Sequence, residues 1–186
     1  MRMFKPCVAA LSGLPLHGKS EVATYMAKHS NFAKRDVDDF RRSYFAAQSG
    51  VVLPEVEEID IMVRSFRFMM DSVGKLIRMS QSVVLPSTFS RRVFKDTLLE
   101  FVSVHPEVSV RVFRFDVSSL NIVEARLKKR LEDGTNSNVR SMERYHYSKT
   151  IVEPWPEGVS VIPVNAEGPI ELVANSIFAH FRDLEI

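Results

Sequence analysis

The stretch Gly13-Leu14-Pro15-Leu16-His17-Gly18-Lys19-Ser20 fits G-x-x-x-x-G-K-[ST] at every fixed position, and no other feature constrains this chain as tightly. In such a loop the glycines let the backbone curl until successive N–H groups converge on phosphate oxygens. The geometry requires a buried strand before the loop and a helix after it, whose positive N-terminal end adds to the field felt by an anion. Both are present: residues 7–11 form an apolar run, and Glu21, Ala23 and Met26 follow Lys19 with helical spacing. The expected ligand is ATP with Mg²⁺. Lys19 reaches the β- and γ-phosphates and the Ser20 hydroxyl ligates the metal. Gly13, Leu14, Pro15, Leu16, His17, Gly18, Lys19, Ser20 and the first-turn Glu21 make up the expected nucleotide-binding set, with His17 serving through its backbone alone.

The rest of the chain repeats this strand-then-helix order. Apolar runs at 7–11, 32–37, 82–85, 108–115 and 159–164 alternate with helical segments beginning near Lys19, Asp38, Pro54, Ser90, Ser119 and Pro169. That alternation predicts an α/β fold of three layers, a mainly parallel five-stranded sheet with helices on both faces. A chain of 186 residues with 45% hydrophobic content suits one such domain, 1–186. In the long helical segment, Met62, Phe66, Met69, Met70, Val73 and Ile77 recur every three or four residues and are expected to pack on the sheet. The basic start of the chain is read as the approach to a first strand and not as a signal peptide. No apolar run is long enough to span a membrane, and the lone Cys7 suits a reducing cytoplasm. A net charge of +2 leaves any polyanion binding to local clusters.

One such cluster flanks the turn-rich residues 132–138, with Arg126, Lys128, Lys129 and Arg130 before it and Arg140 and Arg144 after it. This is the composition of a small basic lid, placed at about 126–148. Arg126 and Arg130, four residues apart, share a helix face from which guanidinium groups can clamp a transferring phosphoryl group. Tyr145, His146 and Tyr147 are expected to be the packed end of the lid helix, and Trp155 to anchor a turn. His29, His105 and His180 lack metal-ligand spacing. At the end of the second strand lie Asp36, Asp38 and Asp39. Ligands of open α/β sheets bind beyond the carboxyl ends of the strands, so a carboxylate here can take the proton of an attacking hydroxyl. The same Asp38 can instead cap the next helix, and residue types alone leave both roles open.

Residues 13–45 resemble the kinase domain of phage polynucleotide kinase and the wider group of P-loop kinases with an Asp-rich second strand end. The resemblance continues more weakly through Val83 to Arg92 and through Ala125 to Arg130, and extends over about 4–153. It implies an ATP-dependent kinase acting on a hydroxyl acceptor, with Asp38 as the base and Arg41 on the acceptor's phosphate. Lys19, Arg126 and Arg130 would neutralise charge, and Arg91 would add a substrate contact. The implied acceptor is the 5′-hydroxyl of a nucleic acid or nucleotide, with a small alcohol as the alternative. One departure stands out: Pro86-Ser87 follows the third strand where the family usually has an Asp. Ser87 and Thr88 offer hydroxyls but no charge, which keeps open an ATP-binding regulatory protein and a partner-coupled ATPase. No membrane partner is implied, and nothing in the sequence specifies an oligomeric state.

The Lys19 side chain is read as meeting solvent or ligand and not the core. Lys19→Ala is therefore expected to abolish nucleotide binding or turnover in a chain that still folds. Titration calorimetry with ATP and Mg²⁺, beside circular dichroism, checks this; undiminished affinity in a folded variant would overturn the loop assignment.

Overall fold

The computed structural model describes residues 5–45, 55–134 and 139–182. Five parallel strands form one sheet in the order β2-β3-β1-β4-β5. They are β1 (Cys7–Ser12), β2 (Phe32–Lys34), β3 (Ser82–Pro86), β4 (Ser109–Asp116) and β5 (Val161–Asn165). The central β1 is buried along its whole length, which explains why its sequence is an apolar run and not an alternation. Its side chains still divide between the faces: Ala9 and Leu11 point one way, Val8 and Ala10 the other. Pro163 sits in β5, an edge strand, where a missing N–H is tolerated.

Helices cover both faces. On one, α1 (Lys19–His29) and α7 (Ile170–Ala179) bury Val22, Met26, Val173 and Ile177 against the sheet. On the other, α3 (Glu55–Arg78) and α4 (Arg92–Val104) bury Phe66, Met69, Val73, Phe94 and Leu98. The Met and Phe stripe of α3 is thus core, with Phe66 stacked on Phe94 at 5.5 Å and edge-on to Phe89 at 5.4 Å. A third, smaller cluster joins Leu16 of the 13–20 loop to Val123 and Leu127 of α5 (Leu120–Glu132) and Tyr145 of α6 (Met142–Thr150). These two helices occupy the region expected to be the lid. Residues 135–138 of the expected lid loop lie outside the described residues, as does the expected helix start at Pro54. No helix among the described residues is long and apolar enough to cross a membrane.

The second strand is shorter than the expected 32–37. It ends at Lys34 because Asp36 turns the chain: its Oδ1 accepts the Asp38 N–H at 3.2 Å and its carbonyl accepts the Asp39 N–H at 3.1 Å. Those bonds start α2 (Val37–Phe45), so the capping carboxylate is that of Asp36. The 13–20 loop fills the crevice at the carboxyl end of β1. The chain leaves β1 towards β2 on one side and leaves β3 towards β4 on the other, which opens the sheet's end at this point.

At Gly13 the backbone has φ 141°, and a Cβ there would stand 2.8 Å from the carbonyl oxygen of Phe115 in β4. Gly13→Ala is expected to cost about 1–3 kcal/mol through backbone strain, and more through the clash. Urea unfolding that leaves the midpoint unchanged would show that the loop does not need to come so close to β4.

Candidate functional site

The loop carries its strain where it bends. Leu16, a residue with a Cβ, has φ 67° and Gly18 has φ 84°. The Leu16 conformation is held by burial of its side chain in the cluster with α5 and α6. Lys19 follows as the first residue of α1. Its side chain is buried within the loop and lines the cavity described next, and its Nζ donates to the carbonyls of Gly13 and Leu14 at 2.7 Å each. Burial pushes its pKa down to about 7, with the nearby Arg130 guanidinium acting in the same direction.

A cavity of about 220 Å³ opens above this lysine and is lined by Lys19, Ser20, Asp36, Asp38, Ser87 and Arg130. Candidates drawn from four separate parts of the chain thus meet in one space. Asp36 is mostly buried there, and burial raises its pKa although the Asp38 N–H and Lys34 oppose the shift. Asp38, with its carboxylate not engaged in the cap, is half exposed and pairs with Arg41 at 3.5 Å. Arg41 is further held against the Met62 sulfur at 3.8 Å. Arg91 immediately precedes α4 and does not line this cavity.

Arg126 and Arg130, the arginines expected on a lid, are placed differently. Arg130 lines both this cavity and a neighbouring one of about 600 Å³, shared with Lys34, Arg42, Arg126 and Lys129. Arg126, one turn earlier on α5, donates to the carbonyl of Leu16 at 3.1 Å and to that of Ala166, just after β5, at 2.6 Å. In this arrangement its guanidinium braces the loop from outside.

The end of β3 brings no carboxylate, as the sequence indicates. Ser87 N–H donates to the Leu11 carbonyl at 3.0 Å, and Ser87 Oγ accepts the Phe89 N–H at 3.3 Å. Among the described residues no three His, Cys, Asp or Glu side chains cluster in a way that would hold a metal alone. The oxygen donors Ser20 and Asp36 in one cavity nonetheless suit Mg²⁺, which takes one or two protein ligands and fills its shell with phosphate oxygens and water.

Two features escaped sequence reasoning. The His17 ring is buried, its Nδ1 lying 2.7 Å from the Phe115 carbonyl oxygen and its Nε2 3.1 Å from the Tyr145 hydroxyl. The motif treats position 17 as variable, so no pattern marks it. Lys95, an apparently ordinary helix lysine, is also buried: its Nζ donates to the Glu153 carbonyl at 2.5 Å and lies 5.5 Å from the centroid of the Trp155 ring. The Glu153 carboxylate accepts the Arg92 N–H at the start of α4. The 153–155 segment thereby fixes the loop after β3, and Trp155 anchors it by packing on Phe89 at 5.4 Å.

No protein-family model matches the sequence, and no curated protein does. Solved structures match it closely in shape. A protein of Chloroflexus aurantiacus J-10-fl, provisionally described as a kinase, superposes with a TM-score of 0.72 at 14% identity over 96% of this chain and 100% of its own. A gluconokinase from Sinorhizobium meliloti 1021 gives 0.62 at 14% identity, over 98% and 95%. The Mycobacterium tuberculosis APS kinase CysC, solved with AMPPNP and APS, gives 0.61 at 15% identity, over 97% of both chains. At these identities the likeness is one of fold: the chain has the parallel α/β architecture of P-loop kinases.

Phosphate oxygens in place of loop carbonyls would restore the charge on Lys19. With its pKa about 7 in the free chain, Lys19 is mostly neutral at pH 8, so binding should take up close to one proton there. Affinity should then fall about tenfold per pH unit above 7 until the pKa of the complex is reached. Calorimetry of ATP binding at pH 8 in two buffers of different ionisation enthalpy measures the uptake. Binding without proton uptake would show that the lysine keeps its charge in the free chain.

Proposed function

We propose that this chain is an ATP-dependent kinase that transfers the γ-phosphoryl group to a hydroxyl of a small polar acceptor. The observation that carries this reading is the single cavity in which Lys19, Ser20, Asp36, Asp38 and Arg130 meet. The acceptor oxygen attacks the γ-phosphorus, its proton passes to Asp38, and the bond from that phosphorus to the bridging oxygen breaks, leaving ADP. Lys19 and Arg130 neutralise charge that spreads over the phosphoryl oxygens as the bond breaks. Arg126 acts at one remove by bracing Leu16. Ser20 and Asp36, which line the same cavity, would hold Mg²⁺, which when bound would offset charge on the β- and γ-phosphates.

A cavity of about 220 Å³ favours a compact acceptor, and the gluconokinase and APS kinase likenesses point the same way. A second reading, transfer to the 5′-hydroxyl of a nucleic acid or nucleotide, has its own observation in Arg41 and Arg42. Arg41 pairs with Asp38, and Arg42 lines the adjoining cavity, so both flank the path to the base. Transfer from labelled ATP to a panel of polyols, nucleosides and 5′-hydroxyl oligonucleotides separates the two. Oligonucleotide binding should also weaken with salt, with a slope of about 0.7 per phosphate neutralised. ATP binding with transfer to no acceptor and no hydrolysis would favour a regulatory role, in line with the missing carboxylate after β3.

The roles of the two aspartates are separable because asparagine caps a helix as well as aspartate does, so Asp36→Asn removes charge and keeps the cap. Asp38→Asn is expected to lower transfer by about 10²–10⁴ with ATP affinity preserved. Full transfer in that variant would remove Asp38 from the role of base and leave Asp39 as the next carboxylate to replace.

A further inference from the structure

The His17 ring joins the phosphate loop to the two elements it must be fitted between, β4 and α6. The Phe115 carbonyl can only accept, so the hydrogen lies on Nδ1, and Nε2 is left as an acceptor for the Tyr145 hydroxyl. One ring thus links the loop to β4 on one side and to α6 on the other. The groups that face it are Lys19 on α1, Asp116 at the end of β4, Arg126 on α5 and Tyr145 on α6. The net field from the cations and from burial favours a neutral ring, the form in which the two bonds have the directions given. Tyr145 is fully buried and lines none of the cavities at the loop. Its hydroxyl bond to His17 is therefore a link between the lid helix and the loop backbone that touches no ligand.

The geometry points to His17 as a positioning residue: through Tyr145 it makes the binding-ready backbone of residues 13–18 depend on the seating of α6. This rests on the reading of 13–20 as a phosphate-binding loop. Leu16 adds to the coupling from the same direction, since it holds a left-handed conformation only while its side chain stays among Val123, Leu127 and Tyr145. If α6 shifts, the bond at Nε2 and the Tyr145 side of the packing around Leu16 are lost together, and the loop is loosened at two adjacent residues. Nucleotide affinity then becomes sensitive to a tyrosine that the nucleotide does not contact.

Three variants dissect the link. Tyr145→Phe keeps the ring and removes the hydroxyl. His17→Asn places an amide nitrogen near the Nδ1 position and keeps the Phe115 bond alone. His17→Gln reaches the Nε2 position and keeps an acceptor for Tyr145. Loss of one buried hydrogen bond should make exchange of the residue 17 amide, bonded to Leu14 at 3.4 Å and corrected for the intrinsic rate of the residue there, about fivefold faster in Tyr145→Phe and in His17→Asn. ATP affinity measured by calorimetry should fall by about the same factor in those two. His17→Gln should stay closer to the parent chain in both measurements. An unchanged His17 amide exchange rate in Tyr145→Phe overturns the coupling, as does unchanged ATP affinity in a variant whose unfolding midpoint alone has dropped. If the parent chain binds no ATP, the functional reading falls, and the exchange measurement still decides whether α6 restrains the loop.

Discussion

The carbonyl of Phe115 is the point on which the site depends. It lies so close to Gly13 that no side chain fits there, and it also accepts the His17 Nδ1–H, so one β4 oxygen holds the loop near both its ends. The residue that presents it is itself buried in the sheet core, in register with Val164 of β5. A loop that must aim its N–H groups at an anion is intrinsically unfavourable, because those donors point the same way and repel. Its shape must therefore be imposed by groups outside it. Here they are the β4 carbonyl, the Arg126 brace on Leu16, and the cluster under Leu16.

Charge is arranged with the same economy. Lys19 and Arg130 approach one another across the cavity, and the cost of that repulsion and of burial falls on Lys19, whose pKa is driven down to about 7. Glu21, Asp36 and Asp38 offset part of it. Anionic phosphate placed between them would be met by two cations and by loop amides. The carboxylate wall would then stand where an acceptor hydroxyl must give up its proton. With no acid at the end of β3, the carboxylates that line the cavity are Asp36 and Asp38 beyond β2 and Glu21 in the first turn of α1, and Asp36 both caps α2 and contributes charge to the site.

Much of this was legible in the residues, for identifiable reasons. Strands buried on both faces, such as β1 and β3, appear as continuous apolar runs, and the motif dictates what lies between β1 and α1. The Met and Phe stripe of α3 is legible because helical periodicity and burial coincide. The end of β2 was misplaced because Lys34, Arg35 and Asp36 carry no periodic signal; a single Asx-type bond from Asp36 decides where the strand stops and α2 starts. Residue types alone do not separate Asp38 from a capping role; the Asp36 bond does. His17 and Lys95 were invisible for a deeper reason: their partners, Phe115, Tyr145 and Glu153, are far away in the chain, and a polar residue buried by long-range hydrogen bonds looks in sequence like one left in water.

The three hydrophobic clusters differ in what it costs to separate them. The two on the sheet faces bury whole helix sides, and parting either exposes many side chains at about 1.5–3 kcal/mol each. The cluster under the loop, among the described residues, consists of Leu16, Val123, Leu127, Val139 and Tyr145, with three partly buried neighbours. Shifting α6 alone uncovers chiefly Tyr145 and breaks one hydrogen bond, a change on the scale of a few kcal/mol. That is the scale on which a ligand's differential affinity can bias an equilibrium between seated and displaced arrangements. The helix α5, which carries Arg130, packs in this cheaper cluster, whereas Lys19, Ser20 and the Asp36 turn belong to elements anchored on the sheet. Arg130, one of the cavity's two cations, therefore rests on the more easily moved part of the fold, and Lys19 with the rest of the site on the part that stays fixed.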